Sequence, residues 1–89
     1  MLAPNYRKKF LKDLKLAEKR GKEIRKLKRA MRCIINEKPL GRLFRDHALK
    51  GEYTDCRECH IEPNWLLIYL IQDEKVTFIR TGTHADLFR

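Results

Sequence analysis

A run of seven apolar residues, Trp65 to Ile71, constrains the fold of this chain most. It is the longest apolar run in the sequence, yet it is far shorter than the roughly 20 residues that a membrane-spanning helix needs. Because its residues are aromatic, β-branched or leucine, the run predicts a strand that is covered on both faces or nearly so. The rest of the chain must therefore supply paired strands and a covering layer.

The segment before this run predicts a second strand. Residues alternate in character from Arg57 to Glu62, which places Glu58, His60 and Glu62 on one face and Cys59 on the other. A turn at residues 63–64 would bring this strand antiparallel to the apolar run.

The remaining segments complete a small sheet. Residues 76–80 predict a third strand of a meander, and residues 84–88 predict a final short turn or helix. Residues 2–3 can begin a short edge strand. The segment 40–54 has no clean period and predicts a loop of a length that is often functional.

Two apolar stripes in the N-terminal half have helical spacing. The first runs from Tyr6 to Ala17 and the second from Ile24 to Ile35, with Gly21 at the expected end of the first helix. So short a turn folds two helices back on each other, and their apolar faces need a sheet to cover them. The predicted fold is α+β, a helical hairpin packed on a small antiparallel sheet, in one domain of residues 1–89.

Positive charge is concentrated in the helical half. Residues 7–32 contain thirteen Lys or Arg against three acids, whereas the chain as a whole carries a net charge of +9. Such asymmetry indicates a polyanionic partner, most often nucleic acid, because a merely solvated helix face usually mixes both signs. The residues expected to bind phosphates are Lys8, Lys9, Lys12, Lys15, Lys22 and Arg25.

The sequence also predicts a cytoplasmic location, and it argues against an exported protein and against a disulfide-stabilised secreted domain. The N-terminus has no apolar signal core, and three cysteines do not make a secreted disulfide framework. We therefore expect a cytoplasmic protein with no membrane association.

Cys56, Cys59 and His60 copy the spacing of a haem-attachment site and also offer three metal ligands. Haem attachment needs an exported context, which the N-terminus does not predict. Residues three apart on a strand point to opposite faces, so the thiols chelate zinc poorly unless Cys56 precedes the strand, and the site would still have to borrow His47 or Cys33. The simplest interpretation makes Cys59 a core residue facing the helices and Cys56 a semi-exposed thiol, with no haem, metal or other cofactor.

The three histidines, His47, His60 and His84, lie outside the basic half. In the predicted meander His60 and Arg80 reach the same end of the sheet, where His84 can fold back. Imidazole titrates near neutrality and can act as base and acid, which suits RNA cleavage by the ribose 2′-hydroxyl without a metal. Arg80 would stabilise the charged transition state. The aromatic residues that could stack an unpaired base are Tyr53, Trp65 and Phe88.

Three strings of residues occur in order along the chain. They are Asp46-His47-x-Leu49-x-Gly51, Arg57-x-x-His60-Ile61-x-Pro63-x-Trp65-Leu66-Leu67-Ile68-Tyr69 and Arg80-Thr81-Gly82-Thr83-His84-x-x-Leu87-Phe88. Together they resemble the YafQ toxins of the RelE/ParE superfamily of bacterial toxin–antitoxin systems. The resemblance extends over essentially the whole chain, including the basic helix from Lys12 to Ala17.

The resemblance implies a microbial-ribonuclease-like fold, ribosome-dependent cleavage of mRNA in the decoding site, and neutralisation by a cognate antitoxin. It implies catalytic roles for His47, His60, His84 and Arg80, with His47 or a neighbouring carboxylate as base and His84 as acid. The basic helices would then bind rRNA. The residues expected to contact substrate are Glu58, Asn64, Trp65 and Phe88.

Asn64 departs from the family pattern, which usually has Asp directly before the Trp. An amide cannot accept a proton or hold an imidazolium by charge. Either Asn64 only positions RNA, or Glu58 or Glu62 takes over the acidic role, or the chain is less active.

We therefore expect a metal-independent endoribonuclease toxin whose partners are an antitoxin and the ribosome. Two alternatives from other classes are a ParE-like toxin that binds DNA gyrase without cleavage, and a basic RNA-binding module. The histidine set favours the enzyme, because a pure binder does not need three imidazoles and an arginine around one sheet edge.

Overall fold

A computed structural model describes residues 1–88, which form five strands and three helices. None of these helices is long and apolar enough to cross a membrane. In chain order, the elements are β1 (Ala3–Tyr6), α1 (Lys8–Lys19), α2 (Ile24–Ile35), β2 (His47–Ala48), β3 (Arg57–Glu62), β4 (Trp65–Gln72), β5 (Lys75–Gly82) and α3 (His84–Leu87). The loop between α2 and β3 contains two short 3₁₀ turns, Arg42–Phe44 and Gly51–Tyr53.

The five strands form one sheet in the order β1-β5-β4-β3-β2. Strands β2 to β5 pair antiparallel, which confirms the predicted α+β meander. The predicted edge strand is present as β1, and it pairs parallel with β5 because the helical hairpin carries the chain away before the sheet begins. Pro4 is tolerated there because an edge strand has one side without ladder hydrogen bonds.

The helical hairpin covers one face of this sheet, as the apolar stripes predicted. Helix α1 packs on β5 and α2 packs on β3. The largest side chains of this core that are less than 2% exposed are those of Phe10, Leu27, Trp65, Leu67 and Phe78. Helix α1 begins at Lys8 and not at Tyr6, because Tyr6 belongs to β1 and stacks on Phe78.

A second, smaller cluster lies on the opposite face. It contains Cys56, Leu66, Ile68 and Leu87. Strand β4 is therefore covered on both faces, as its apolar run predicted. The cysteine prediction was half right: Cys59 is completely buried in the helix-side core, but Cys56 is buried in the opposite cluster and not semi-exposed.

The two thiols of the Cys-x-x-Cys-His string therefore lie on opposite sides of the sheet and cannot hold one metal ion or one haem between them. Burial also raises the pKa of both thiols, that of Cys59 to about 12, which disfavours the thiolate that a metal would need.

A β-bulge between His60 and Glu62 changes the face of the last strand residue. Glu62 pairs with Trp65, so its side chain lies on the helix side, whereas His60 pairs with Leu66 and lies on the other. The expectation that Glu62 shares the face of His60 was wrong, because simple alternation does not continue through a bulge. The Glu62 carboxylate is within 3.1 Å of Lys26 and 3.5 Å of Lys22.

The Trp65 side chain is fixed by a buried hydroxyl. Its Nε1–H donates to Thr81 Oγ1 at 3.0 Å, and the same hydroxyl donates to the Leu66 carbonyl at 2.7 Å. Thr81→Val keeps the shape of the side chain but leaves the indole N–H without a partner. We expect a loss of roughly 1–3 kcal/mol in the free energy of unfolding, measured by urea denaturation.

The matched control is Thr77→Val in the same strand, where the side chain is only half-buried and makes no side-chain hydrogen bond within residues 1–88. It should change the free energy of unfolding by less than about 0.5 kcal/mol. Equal losses in the two variants would show that the indole hydrogen bond is unimportant.

Candidate active site

The register of three strands brings the predicted histidines onto the face opposite the helices. His47 pairs with Glu58, Glu58 pairs with Ile68, and His60 pairs with Leu66. Directly paired residues of antiparallel strands share a face, and Leu66 and Ile68 belong to the cluster on that side. Two histidines and a carboxylate are therefore neighbours on one surface of the sheet.

The Glu58 carboxylate is the buried centre of this group. Glu58 is only 5% exposed, and its Oε2 lies 2.9 Å from His47 Nε2 and 3.8 Å from His60 Nε2. Both imidazoles lie within ion-pair distance of the carboxylate, and His47 is the nearer of the two. The substrate-binding role predicted for Glu58 does not fit this burial, since the carboxylate faces the imidazoles and not the solvent.

His47 is held by acceptors at both ring nitrogens. Its Nδ1 lies 2.6 Å from the Arg45 carbonyl oxygen, which can only accept, and its Nε2 faces Glu58. Arg45 adopts φ +47°, a left-handed conformation that turns its carbonyl toward the ring. His47 is thus held between two oxygen acceptors, one at each ring nitrogen.

His84 sits at the start of α3 with a defined tautomer. Asn64 Oδ1 accepts the backbone N–H of His84 at 3.0 Å and lies 2.7 Å from His84 Nδ1. The atom that accepts a backbone N–H must be the amide oxygen, so the ring donates from Nδ1 to the same oxygen. Nε2 of His84 is left for a substrate.

The three imidazoles form a row. Ring centroids are 6.3 Å apart for His47 and His60 and 5.8 Å apart for His60 and His84. The row continues into two aromatic rings, since Phe88 is 6.5 Å from His84 and Tyr53 is 5.8 Å from Phe88. Phe88 is 42% exposed, which leaves it a surface for stacking a base.

Trp65 does not belong to this row. It is 1% exposed and lies in the helix-side core, with Lys22 Nζ 5.8 Å from its ring. The predicted stacking of Trp65 on a base does not fit this position, because no face of the indole is open to solvent.

Arg80 lies beside the row of imidazoles, and its guanidinium is hydrogen-bonded to Asp13. It pairs with Ile68, in the same cross-strand line as Glu58 but about 10 Å away across two strand spacings. Its Nε and Nη2 donate to the Asp13 carboxylate at 2.6 and 3.1 Å, and this hydrogen bonding raises the pKa of the guanidinium. Nη1 makes no hydrogen bond within residues 1–88.

Asp13 is the principal site residue that the sequence interpretation missed. It lies in α1 on the same stripe as Phe10 and Ala17, three positions from the first and four from the second. An acid on an apolar stripe indicates that a hydrogen-bonding or charged group lies against that face of the helix. The position of Asp13 on the stripe can be read from the sequence alone. Asp13 also accepts the Thr81 N–H at 3.2 Å, on the edge of β5 that extends past β1.

The predicted phosphate-binding residues divide into two groups. Four of them are exposed along α1: Lys8, Lys9, Lys12 and Lys15. Lys8 and Lys9 also line a hollow that includes Arg7, Tyr53 and Arg80. Lys22 is half-buried and paired with Glu62, so it is less available to an RNA. Arg25 is exposed on α2.

A cleft of about 680 Å³ opens beside the His60–His84 part of the row. His60 and His84 line it together with Lys26, Phe44 and Pro63. Leu43 stands at its rim and is 92% exposed.

Comparison with known proteins decides the family. A sequence model of the family described as "Bacterial toxin of type II toxin-antitoxin system, YafQ" matches residues 2–89. The chain belongs to the YafQ toxin family. This agrees with the resemblance seen in the sequence strings.

Three similar proteins support this placement. The mRNA interferase toxin YafQ of Escherichia coli K12 is 46% identical over 84 residues, which is 93% of this chain and 91% of that one. The crystal structure of the E. coli DinJ-YafQ toxin-antitoxin complex matches with a TM-score of 0.92 at 44% identity, covering 99% of this chain and 98% of that one. A metal-bound toxin from Helicobacter pylori matches with a TM-score of 0.92 at 39% identity, covering 99% and 100%.

In this YafQ-family chain, Asn64 should control the tautomer of His84. Asn64→Ala removes the only acceptor at Nδ1 within residues 1–88, so we expect the single Nδ1–H form to give way to a mixture. Imidazole ¹⁵N chemical shifts above the titration range of His84 measure the two forms.

Asn36→Ala is the control, since Asn36 is exposed at the end of α2 and makes no side-chain hydrogen bond within residues 1–88. An Nδ1–H population of His84 that is the same in Asn64→Ala and Asn36→Ala would contradict the assigned contact.

Proposed function

We propose that this chain is a ribosome-dependent, metal-independent endoribonuclease of a type II toxin–antitoxin system that cleaves mRNA by attack of the ribose 2′-hydroxyl. The observation that carries the proposal is the row of His47, His60 and His84 beside a buried carboxylate, with a different set of contacts at each ring. The E. coli relative's name, mRNA interferase toxin, supplies the substrate class.

His60 is the best-placed general base. Both ring nitrogens of His47 already face acceptors, whereas His60 Nε2 is 3.8 Å from Glu58, too far for a hydrogen bond, and its ring lines the cleft. His60 can therefore take the 2′-hydroxyl proton, and the nearby carboxylate favours the imidazolium that results. This assignment gives His47 the task of holding Glu58 in place.

His84 is the general acid. With Nδ1 bonded to Asn64, the protonated ring presents Nε2–H to the substrate. The 2′-oxygen forms a bond to phosphorus, the bond from phosphorus to the 5′-oxygen breaks, and that oxygen takes the proton from Nε2. The products are a 2′,3′-cyclic phosphate and a 5′-hydroxyl. The 5.8 Å between the two rings lets both reach oxygens on one phosphorus atom.

The remaining site residues handle charge and position. Arg80, through its unengaged Nη1, and Lys8 and Lys9 beside it would bind backbone phosphates next to the cleaved one. Phe88 would stack the flanking base. Asn64 would orient His84 and would not act as an acid or a base. This is the role we propose at the position where the family usually has Asp.

Two partners follow from the same argument. The basic surface of α1 suits rRNA phosphates around the decoding site, which we propose as the place of cleavage. A cognate antitoxin is proposed by analogy with the relative's DinJ-YafQ complex. A ParE-like gyrase binder or a plain RNA-binding module would leave the imidazole row without a task.

The mechanism predicts a strict need for the 2′-hydroxyl and for His84. An mRNA with one 2′-deoxynucleotide at the cleaved position should not be cut at that position on programmed ribosomes. His84→Gln should lower the single-turnover rate by about 10²–10⁴-fold, the usual contribution of a general acid, because no proton reaches the leaving oxygen. Primer extension and end-group analysis measure both effects.

Three results would overturn parts of the proposal. Parental rates in both His84→Gln and His60→Ala would remove the histidines from the mechanism. Unimpaired cleavage of the 2′-deoxy message would remove the 2′-hydroxyl. Metal independence fails if a phosphorothioate at the cleaved position slows the reaction with Mg²⁺ and a thiophilic ion restores it.

Ribosome binding should depend on α1. The variant Lys8→Glu, Lys9→Glu, Lys12→Glu, Lys15→Glu should bind ribosomes more weakly and with a shallower dependence on salt, because fewer counterions are released. Filter binding between low and physiological salt measures the slope. Reversal of four exposed charges elsewhere is the control; those residues are Lys28, Arg29, Lys38 and Lys75. Equal losses in the two variants would mean that only net charge matters.

A further inference from the structure

The short helix that carries His84 depends on contacts outside itself. Helix α3 has four residues, too few to be stable alone because helix nucleation is unfavourable. Thr83 and Asp86 form a capping box: Thr83 Oγ1 accepts the Asp86 N–H at 3.1 Å, and Asp86 Oδ2 accepts the Thr83 N–H at 2.9 Å. Leu87 is buried against the sheet. The capping carboxylate therefore determines where α3 begins.

The same carboxylate is held by a residue at the end of α1. Arg20 Nη1 donates to Asp86 Oδ2 at 2.7 Å, and Nη2 donates to Oδ1 at 3.4 Å. Gly82 allows α3 to lie this close, since a Cβ at that position would be 3.0 Å from Asp86 Cβ. Hydrogen bonding to Arg20 holds the pKa of Asp86 well below its usual range.

His84 is consequently fixed from two sides. Asn64, in the turn between β3 and β4, holds its backbone N–H and its ring. Arg20, on the helical hairpin, holds the residue two positions further along α3. Neither Arg20 nor Asp86 lines the cleft that contains His60 and His84.

We propose that Arg20 and Asp86 are positioning residues that set the place of His84 relative to His60. Arg20 and Asp86 are partly solvent-exposed, at 42% and 24% of their side chains, and such pairs contribute little to global stability. Their effect should therefore appear in the chemical step and not in the melting temperature. The catalytic meaning of this contact rests on the proposed function, whereas the contact itself can be tested without it.

The test compares Arg20→Gln, Arg20→Lys and Asp86→Asn with the control Lys19→Gln. Lys19 is the neighbouring exposed cation in α1 and makes no ion pair within residues 1–88, so its loss removes the same charge without touching α3. The measurements are kcat and KM on programmed ribosomes, the melting temperature, and the ¹⁵N tautomer signature of His84.

We expect Arg20→Gln and Asp86→Asn to lower kcat by on the order of tenfold, because small displacements of a catalytic group are costly. KM and melting temperature should match those of Lys19→Gln. Arg20→Lys should recover part of kcat by restoring one hydrogen bond. The His84 tautomer signature should change in the two damaged variants and stay parental in the control.

The outcomes separate this proposal from its alternatives. If Arg20 bound RNA directly, Arg20→Gln would raise KM, and Asp86→Asn would leave cleavage unchanged or improve it. Parental kcat in Arg20→Gln with an inactive His84→Gln would overturn the positioning role alone. Parental activity in His84→Gln would instead overturn the proposed function. If the tautomer signature of His84 were then also unchanged in Arg20→Gln, the positioning effect of the Arg20–Asp86 contact would be rejected as well.

Discussion

A buried carboxylate, that of Glu58, sets the arrangement of the imidazole row. An ion at 5% exposure is destabilising by several kcal/mol unless positive charge and hydrogen bonds compensate it. His47 Nε2 lies 2.9 Å from the carboxylate, and His60 adds a second, looser contact at 3.8 Å. The carboxylate thus lies between two histidines that come from separate strands. The loop that carries His47 is in turn fixed by Asp46, which accepts hydrogen bonds from Arg57 and Tyr69.

The two faces of the sheet differ: one holds the main core and the other carries the imidazole row. Its helix side holds the large core, including Trp65 and Cys59, and tolerates few polar groups. Its other side buries a smaller cluster and leaves room for the imidazoles, Phe88 and Arg80. The bulge after His60 maintains this separation, because it directs Glu62 to the lysines of the hairpin and away from the histidines. Glu62 still lines the cleft, paired with lysines, but only Glu58 lies within ion-pair distance of the imidazoles.

The periodic features of the sequence predicted the fold well. The alternation over Arg57–Glu62 and the apolar run after it gave strands with the observed starts, and two helical stripes gave the hairpin. The burial of Trp65 and the face of Glu62 could not be predicted, since both depend on the bulge and on a hydrogen bond to Thr81. The residues that restrain the site, Asp13 and Arg20 among them, act through contacts far apart in sequence, and only the position of Asp13 on an apolar stripe offered a hint.

The parallel pairing of β1 with β5 has a consequence for the moment at which the protein acquires activity. Ala3 of β1 pairs with Lys75 of β5, and His84 follows β5 directly. Strand β1 therefore cannot pair until β5, the fifth strand, has formed. Pairings between such distant segments form late in folding. Until Lys75–Gly82 is in place, the sheet lacks both its β1 edge and the strand that leads into His84. The sheet and the imidazole row are therefore completed by the same strand.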